Sequence, residues 1–141
     1  MKKIIVILAS LCIGISLIAA DSPEVLYKKY NKALGAGQYN IVMEYLASPV
    51  KKQINKMPAK NRKMIWQMLS KAAHKKYTVL KVMILGSKAY IYLTFTNKMT
   101  MRSNNYSSTK IVKMYSKVIL TREGRYWKIV REEMRDKPFI R

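Results

Sequence analysis

Acids, cysteine, histidine and glycine are all scarce in this chain, and each shortage removes a class of chemistry. Cysteine occurs once, at Cys12 in an apolar run near the amino terminus. Everything after that run therefore carries no disulfide, no thiol nucleophile and no thiolate metal site. Histidine also occurs once, at His74. One imidazole among scattered carboxylates does not supply three protein ligands at metal-site spacing, so no metal and no cofactor is expected. Seven acidic side chains face 28 basic ones. Asp21 and Glu24 stand at the start of the first expected helix, Glu123 in a turn, and Glu132, Glu133 and Asp136 near the carboxyl end. Glu44 alone is central, either near a cavity or on a helix flank among lysines. His74 follows a helical segment and precedes Lys75 and Lys76, which reads as a solvated helix end, since a general base needs an oriented partner. No strand face expected to point inward carries an acid. There is no Gly-rich phosphate loop and no Gly-x-Ser-x-Gly elbow. These absences count against an enzyme.

What is present begins with an export pattern. Met1-Lys2-Lys3 precedes an uncharged run from Ile4 to Ala20, ending in small residues. Residues 1–20 therefore read as a secretory signal peptide cut after Ala20, giving a periplasmic or secreted protein. The alternative is a membrane anchor, since the run lies at the lower edge of spanning length. Lipidation at Cys12 is disfavoured because Leu11 occupies the place of the small residue such signals need. The formal charge of +21 falls to +19 without Lys2 and Lys3. A field of that size gathers polyanions, with a range of about 8 Å at physiological ionic strength. Lysine-rich composition of a lineage is the bland alternative.

Residues 21–134 read as one α+β domain and 135–141 as a loose basic tail. Ser22-Pro23-Glu24 carries a capping hydroxyl, a proline at the first helical position and an acid in the first turn. Leu26, Tyr27, Tyr30, Ala33 and Leu34 follow at helical spacing until Gly35 and Gly37. Tyr39–Leu46 forms a second amphipathic stretch, a short third helix starts near Pro49, and Ala59–Ala73 forms a fourth. After Lys76 the residues become β-branched and aromatic. Four strands are expected, over Tyr77–Leu85, Ala89–Met101, Thr109–Thr121 and Tyr126–Glu133. Short connections between the last strands predict antiparallel pairing, hence helices packed on an antiparallel sheet.

Ser22-Pro23-Glu24-Val25 through Tyr30 and Ala33-Leu34, then Gly37-Gln38-Tyr39, Ser87-Lys88-Ala89-Tyr90-Ile91, and Leu120 through Ile129 with Gly124-Arg125-Tyr126-Trp127 carry a family likeness. They resemble exported bacterial domains of unknown function in the nuclear transport factor 2-like superfamily, over nearly all of residues 22–130. Gln38 departs from the usual acid before the tyrosine. The resemblance implies a cone of helices across a curved sheet, often with an apolar cavity, and implies no activity.

Two binding surfaces are legible. Tyr27, Tyr30, Tyr45, Trp66, Phe95, Met114 and Trp127 are candidates to line the cone and take a small apolar ligand, or else to be plain core. Lys51, Lys52, Lys56, Lys60, Arg62 and Lys63 cluster around Pro58 and are candidates for an anionic lipid or polymer of the cell envelope. An envelope protein is the alternative partner, peripheral membrane contact and a homodimer are compatible, and nucleic acid is disfavoured by export. The expectation is a non-catalytic exported binding module using its basic surface, the alternative a carrier with the ligand in the cone.

Overall fold

The computed structural model describes residues 20–140, so all but Ala20 of the signal segment read at residues 1–20 lies outside the described residues. Four helices precede four strands: α1 (Pro23–Gly35), α2 (Tyr39–Tyr45), α3 (Ser48–Lys56), α4 (Ala59–Ala72), β1 (Thr78–Leu85), β2 (Lys88–Ser103), β3 (Tyr106–Glu123) and β4 (Tyr126–Arg135). The Ser22 hydroxyl accepts the Val25 N–H and caps α1. Pro58 ends in extended backbone and starts α4. None of the described helices is long and apolar enough to cross a membrane.

The strands form one antiparallel sheet in the order β1-β2-β3-β4. Its inner face presents Ala89, Ile91 and Leu93 from β2, Val118 and Leu120 from β3, and Trp127 and Ile129 from β4, all buried. Leu26, Tyr27, Tyr30, Ala33 and Leu34 of α1, Val42 of α2, Ile54 of α3 and Trp66 of α4 meet them in one core. Burying this apolar face stabilises the fold at roughly 25 cal/mol per Å². A parallel bridge from Leu46 to Ile129 and a 2.8 Å bond from Ala47 N–H to the Ile129 carbonyl stitch the end of α2 to β4.

Three features depart from expectation. The second and third strands are longer than predicted, because the polar run from Arg102 to Ser108 continues the ladder around a two-residue turn at Asn104-Asn105. Hydroxyl and amide side chains there stand on solvated strands instead of marking a loop. Second, β1 ends its pairing at Thr94 and β4 at Tyr115, so residues 96–113 project beyond the sheet as a two-stranded arm. Third, the tail is not loose. Phe139 lies against the outer face of the sheet, with the Arg135 guanidinium 3.8 Å, the Lys117 ammonium 5.2 Å and the Tyr92 ring 6.3 Å from its ring centroid.

Two bulges interrupt the ladders, at Leu80 in β1 and at Val130 in β4. The second one sets the site. Counting in twos from Trp127 and Ile129 would aim Arg131 and Glu133 inward. The extra residue shifts the phase, so Glu132 pairs with Val118 and Met134 with Ser116, and these two β4 side chains take the inner face.

Candidate binding site

Glu132 is the centre of a polar cluster inside the cone. Its Oε1 accepts a hydrogen bond from the buried Ser116 hydroxyl and pairs at 2.8 Å with Nε2 of His74. The Tyr27 hydroxyl donates across both carboxylate oxygens, at 3.2 and 3.3 Å. Two elements, α1 and β3, and the α4–β1 link thus converge on this one β4 side chain.

His74 is held as firmly as its partner. The Asn31 side chain of α1 donates to the His74 carbonyl at 2.8 Å and accepts the His74 N–H at 2.9 Å. Phe95 covers the imidazole with ring centroids 3.8 Å apart, and Tyr77 meets Tyr27 edge-on at 5.5 Å. The solvated helix end expected for His74 is therefore corrected: its side chain is 5% exposed, because a carboxylate 58 positions away in sequence supplies a partner. The expectation that no inward strand position carries an acid fails too: plain alternation would turn Glu133 inward, and the Val130 bulge turns Glu132 inward instead. Burial and the Glu132 charge push the Tyr27 phenol far up, and push Tyr30 up to about 12. Burial also raises Tyr77.

The candidate cavity residues do not share one pocket. Tyr30 and Trp66 line a cavity of about 200 Å³ between α1, α3, α4 and β4, with Leu34, Ile54, Leu69 and Glu132. Tyr27 lies behind the carboxylate, a member of the cluster and the core. Phe95 and Met114 face a separate groove of about 800 Å³ past His74, with Lys75, Lys76 and Lys98 on its sides. Tyr45 and Trp127 border a third hollow of about 370 Å³ beside Asp21 and Lys29. Trp127 is buried under the Arg122 guanidinium, 4.5 Å from its ring. Glu44 is exposed and lies on that third hollow, away from the cone.

The candidate cations are also dispersed. Arg62 and Lys63 edge a depression of about 360 Å³ with Tyr39 and Trp66, whose rings stack at 5.0 Å. Lys52, Lys56 and Lys60 are exposed, and Lys51 lies near enough to Glu123 to favour its charge. Another group comes together from two helices. Lys28 and Lys32 of α1 and Lys71, Lys75 and Lys76 at the end of α4 surround one open hollow of about 1320 Å³, whose floor includes Asn31, His74 and Tyr77. Glu24 is the one acid on its wall, and among the described residues none of the five lysines is in an ion pair. Among the described residues no group of three or more His, Cys, Asp and Glu is placed to hold a metal ion.

No family model matches the chain, and no curated protein matches it. Solved structures do. A Thiobacillus denitrificans protein provisionally named as a calcium/calmodulin-dependent protein kinase type II association domain superposes with TM-score 0.50 at 10% identity, covering 82% of this chain and 95% of that one. A Streptomyces avermitilis protein provisionally named a dehydratase of the nuclear transport factor 2-like family gives 0.48 at 10% identity over 84% and 94%. A nuclear transport factor 2-like protein of unknown function from Shewanella oneidensis gives 0.46 at 12% identity over 79% and 93%. At such identities the likeness is one of fold alone: at TM-score 0.50 this chain, four helices on a curved four-stranded antiparallel sheet, shares the fold of the Thiobacillus protein.

Proposed function

We propose that this domain is a non-catalytic binding module that works outside the cytoplasm and holds an anionic component of the cell envelope on its basic surface. The observation that supports this reading is the open hollow ringed by Lys28, Lys32, Lys71, Lys75 and Lys76. Five ammonium groups without carboxylate partners repel one another, and a phosphate- or carboxylate-bearing polymer relieves that repulsion while releasing its own counterions. The contact thus moves from the Lys51–Lys63 group to the junction of α1, α4 and β1.

Long-chain polyphosphate is the probe. Its affinity should fall steeply with salt, and Lys71→Ala, Lys75→Ala and Lys76→Ala together should flatten the log–log slope by about 2–3, at roughly 0.7–0.9 per lost contact. The same three changes at Lys51, Lys52 and Lys56 serve as the control for charge alone. Equal losses in both variants would reduce the reading to a diffuse field.

A second reading rests on the 200 Å³ cavity, since a packed interior seldom keeps such a void. It makes the domain a carrier of a small apolar ligand. Native mass spectrometry of protein purified gently from its host should then show a retained small-molecule mass that survives a high-salt wash. A bare mass counts against it.

A further inference from the structure

Among the described residues, the strands of the arm formed by residues 96–113 pair only with each other. Met99, Met101 and Tyr106 stand on one of its faces, 51%, 62% and 72% exposed, because pairing sets Met99 opposite Lys110, Met101 opposite Ser108 and Ser103 opposite Tyr106. The other face carries Lys98 opposite Ile111, with Arg102 toward the tip and Lys113 toward the sheet. No acid occurs between Glu44 and Glu123, so none interrupts this pattern on the arm.

We propose that this arm is a membrane-docking finger: Met99, Met101 and Tyr106 enter the interfacial zone of an anionic bilayer while Lys98, Arg102, Lys110 and Lys113 contact its phosphate headgroups. Three observations select that occupant. Methionine and tyrosine are flexible or amphipathic side chains suited to the headgroup boundary, where tyrosine keeps its hydroxyl wet. Long cationic side chains beside them reach outward to headgroups while their methylene stems stay apolar. A second copy of the arm would bring cations against cations, and a bilayer of anionic lipid supplies the opposite charge. The inference goes beyond the lysine hollow, which lies at the junction of α1, α4 and β1, and does not depend on it.

The test uses the chain beginning at Asp21, which holds every helix, strand and core residue described here and omits the apolar run before it. Partition is measured by flotation with phosphatidylcholine vesicles, pure or containing about one-third phosphatidylglycerol, since surface potential sets the electrostatic attraction. Binding is expected on the anionic vesicles. The triple variant Met99→Ser, Met101→Ser, Tyr106→Ser keeps every charge and should lose about tenfold in partition through lost apolar area. Its urea midpoint should match the parent, since the three side chains are exposed. A Met101→Trp reporter should shift its emission to the blue on anionic vesicles. An unchanged partition for the triple variant, a reporter that stays in water, or a concentration-dependent dimer abolished by the triple variant would each overturn the proposal. Polyphosphate binding reads the hollow separately, because the triple variant leaves all its lysines intact.

Discussion

Glu132 fastens the interior through three side chains, Tyr27, Ser116 and His74, that bond to its carboxylate. Replacing it by alanine leaves the Tyr27 and Ser116 hydroxyls and the His74 imidazole without that acceptor, and Ser116 and Tyr27 are almost wholly buried. Glu132→Ala should therefore destabilise by about 2–4 kcal/mol, the range for breaking a buried polar network. Glu132→Gln keeps a carbonyl acceptor and should cost about half as much. Urea midpoints of the two variants at neutral pH check both values, and equal losses would mean that packing, not acceptance, is what Glu132 supplies. His74 was misread at this scale because a linear neighbourhood of lysines says nothing about a carboxylate arriving from the last strand. A signal did exist: the adjacent apolar pair Ile129-Val130, followed by Arg131, breaks the alternation that Trp127 begins.

Among the elements, α3 owes its start to a different strand end. Its Ala47 cap residue offers no side-chain acceptor, and the Glu123 carboxylate from the β3–β4 turn accepts the Ser48 N–H and hydroxyl, each at 2.9 Å. Those bonds, with Lys128 and Lys51 nearby, hold the Glu123 carboxyl below its ordinary range. A carboxyl depressed in the folded state stabilises the fold above its unfolded pKa near 4.5, and that contribution disappears as the pH falls through the lower folded value. Glu123→Ala should therefore cost up to about 1 kcal/mol at pH 7, limited by solvent screening. The difference from the parent should vanish in strong acid, so urea midpoints that stay separated there would contradict the capping role. The helices were legible from periodicity and caps, and the strands from β-branched density. The tip of the arm was not, because Arg102, Ser103 and the Tyr106–Ser108 run beside Asn104-Asn105 look like loop composition until they are paired.

Over the whole molecule, the α+β order was readable because amphipathic helices followed by short-linked strands leave few packings, and the curved sheet was what the resemblance implied. The site was less readable, since the lysines that share the hollow come from positions 28, 32, 71, 75 and 76, brought together by the packing of α1 on the end of α4. Of the seven apolar candidates Tyr27, Tyr30, Trp66 and Trp127 are buried, and the seven divide among three hollows and the core. Side-chain type predicts burial well and pocket membership poorly, because membership depends on where the gaps between elements fall.

The contacts of β4 have a bearing on how the chain comes together in time. Ala47 bonds to Ile129, Tyr27 and His74 meet Glu132, and Ser48 meets the turn just before β4. Each of these waits for the last tenth or so of the chain, so the helices, though made first, have nothing final to lock onto until then. A chain stopped short of Glu123 would therefore carry every helix and nearly all of the first three strands, yet leave the cone open along the edge that the last strand closes.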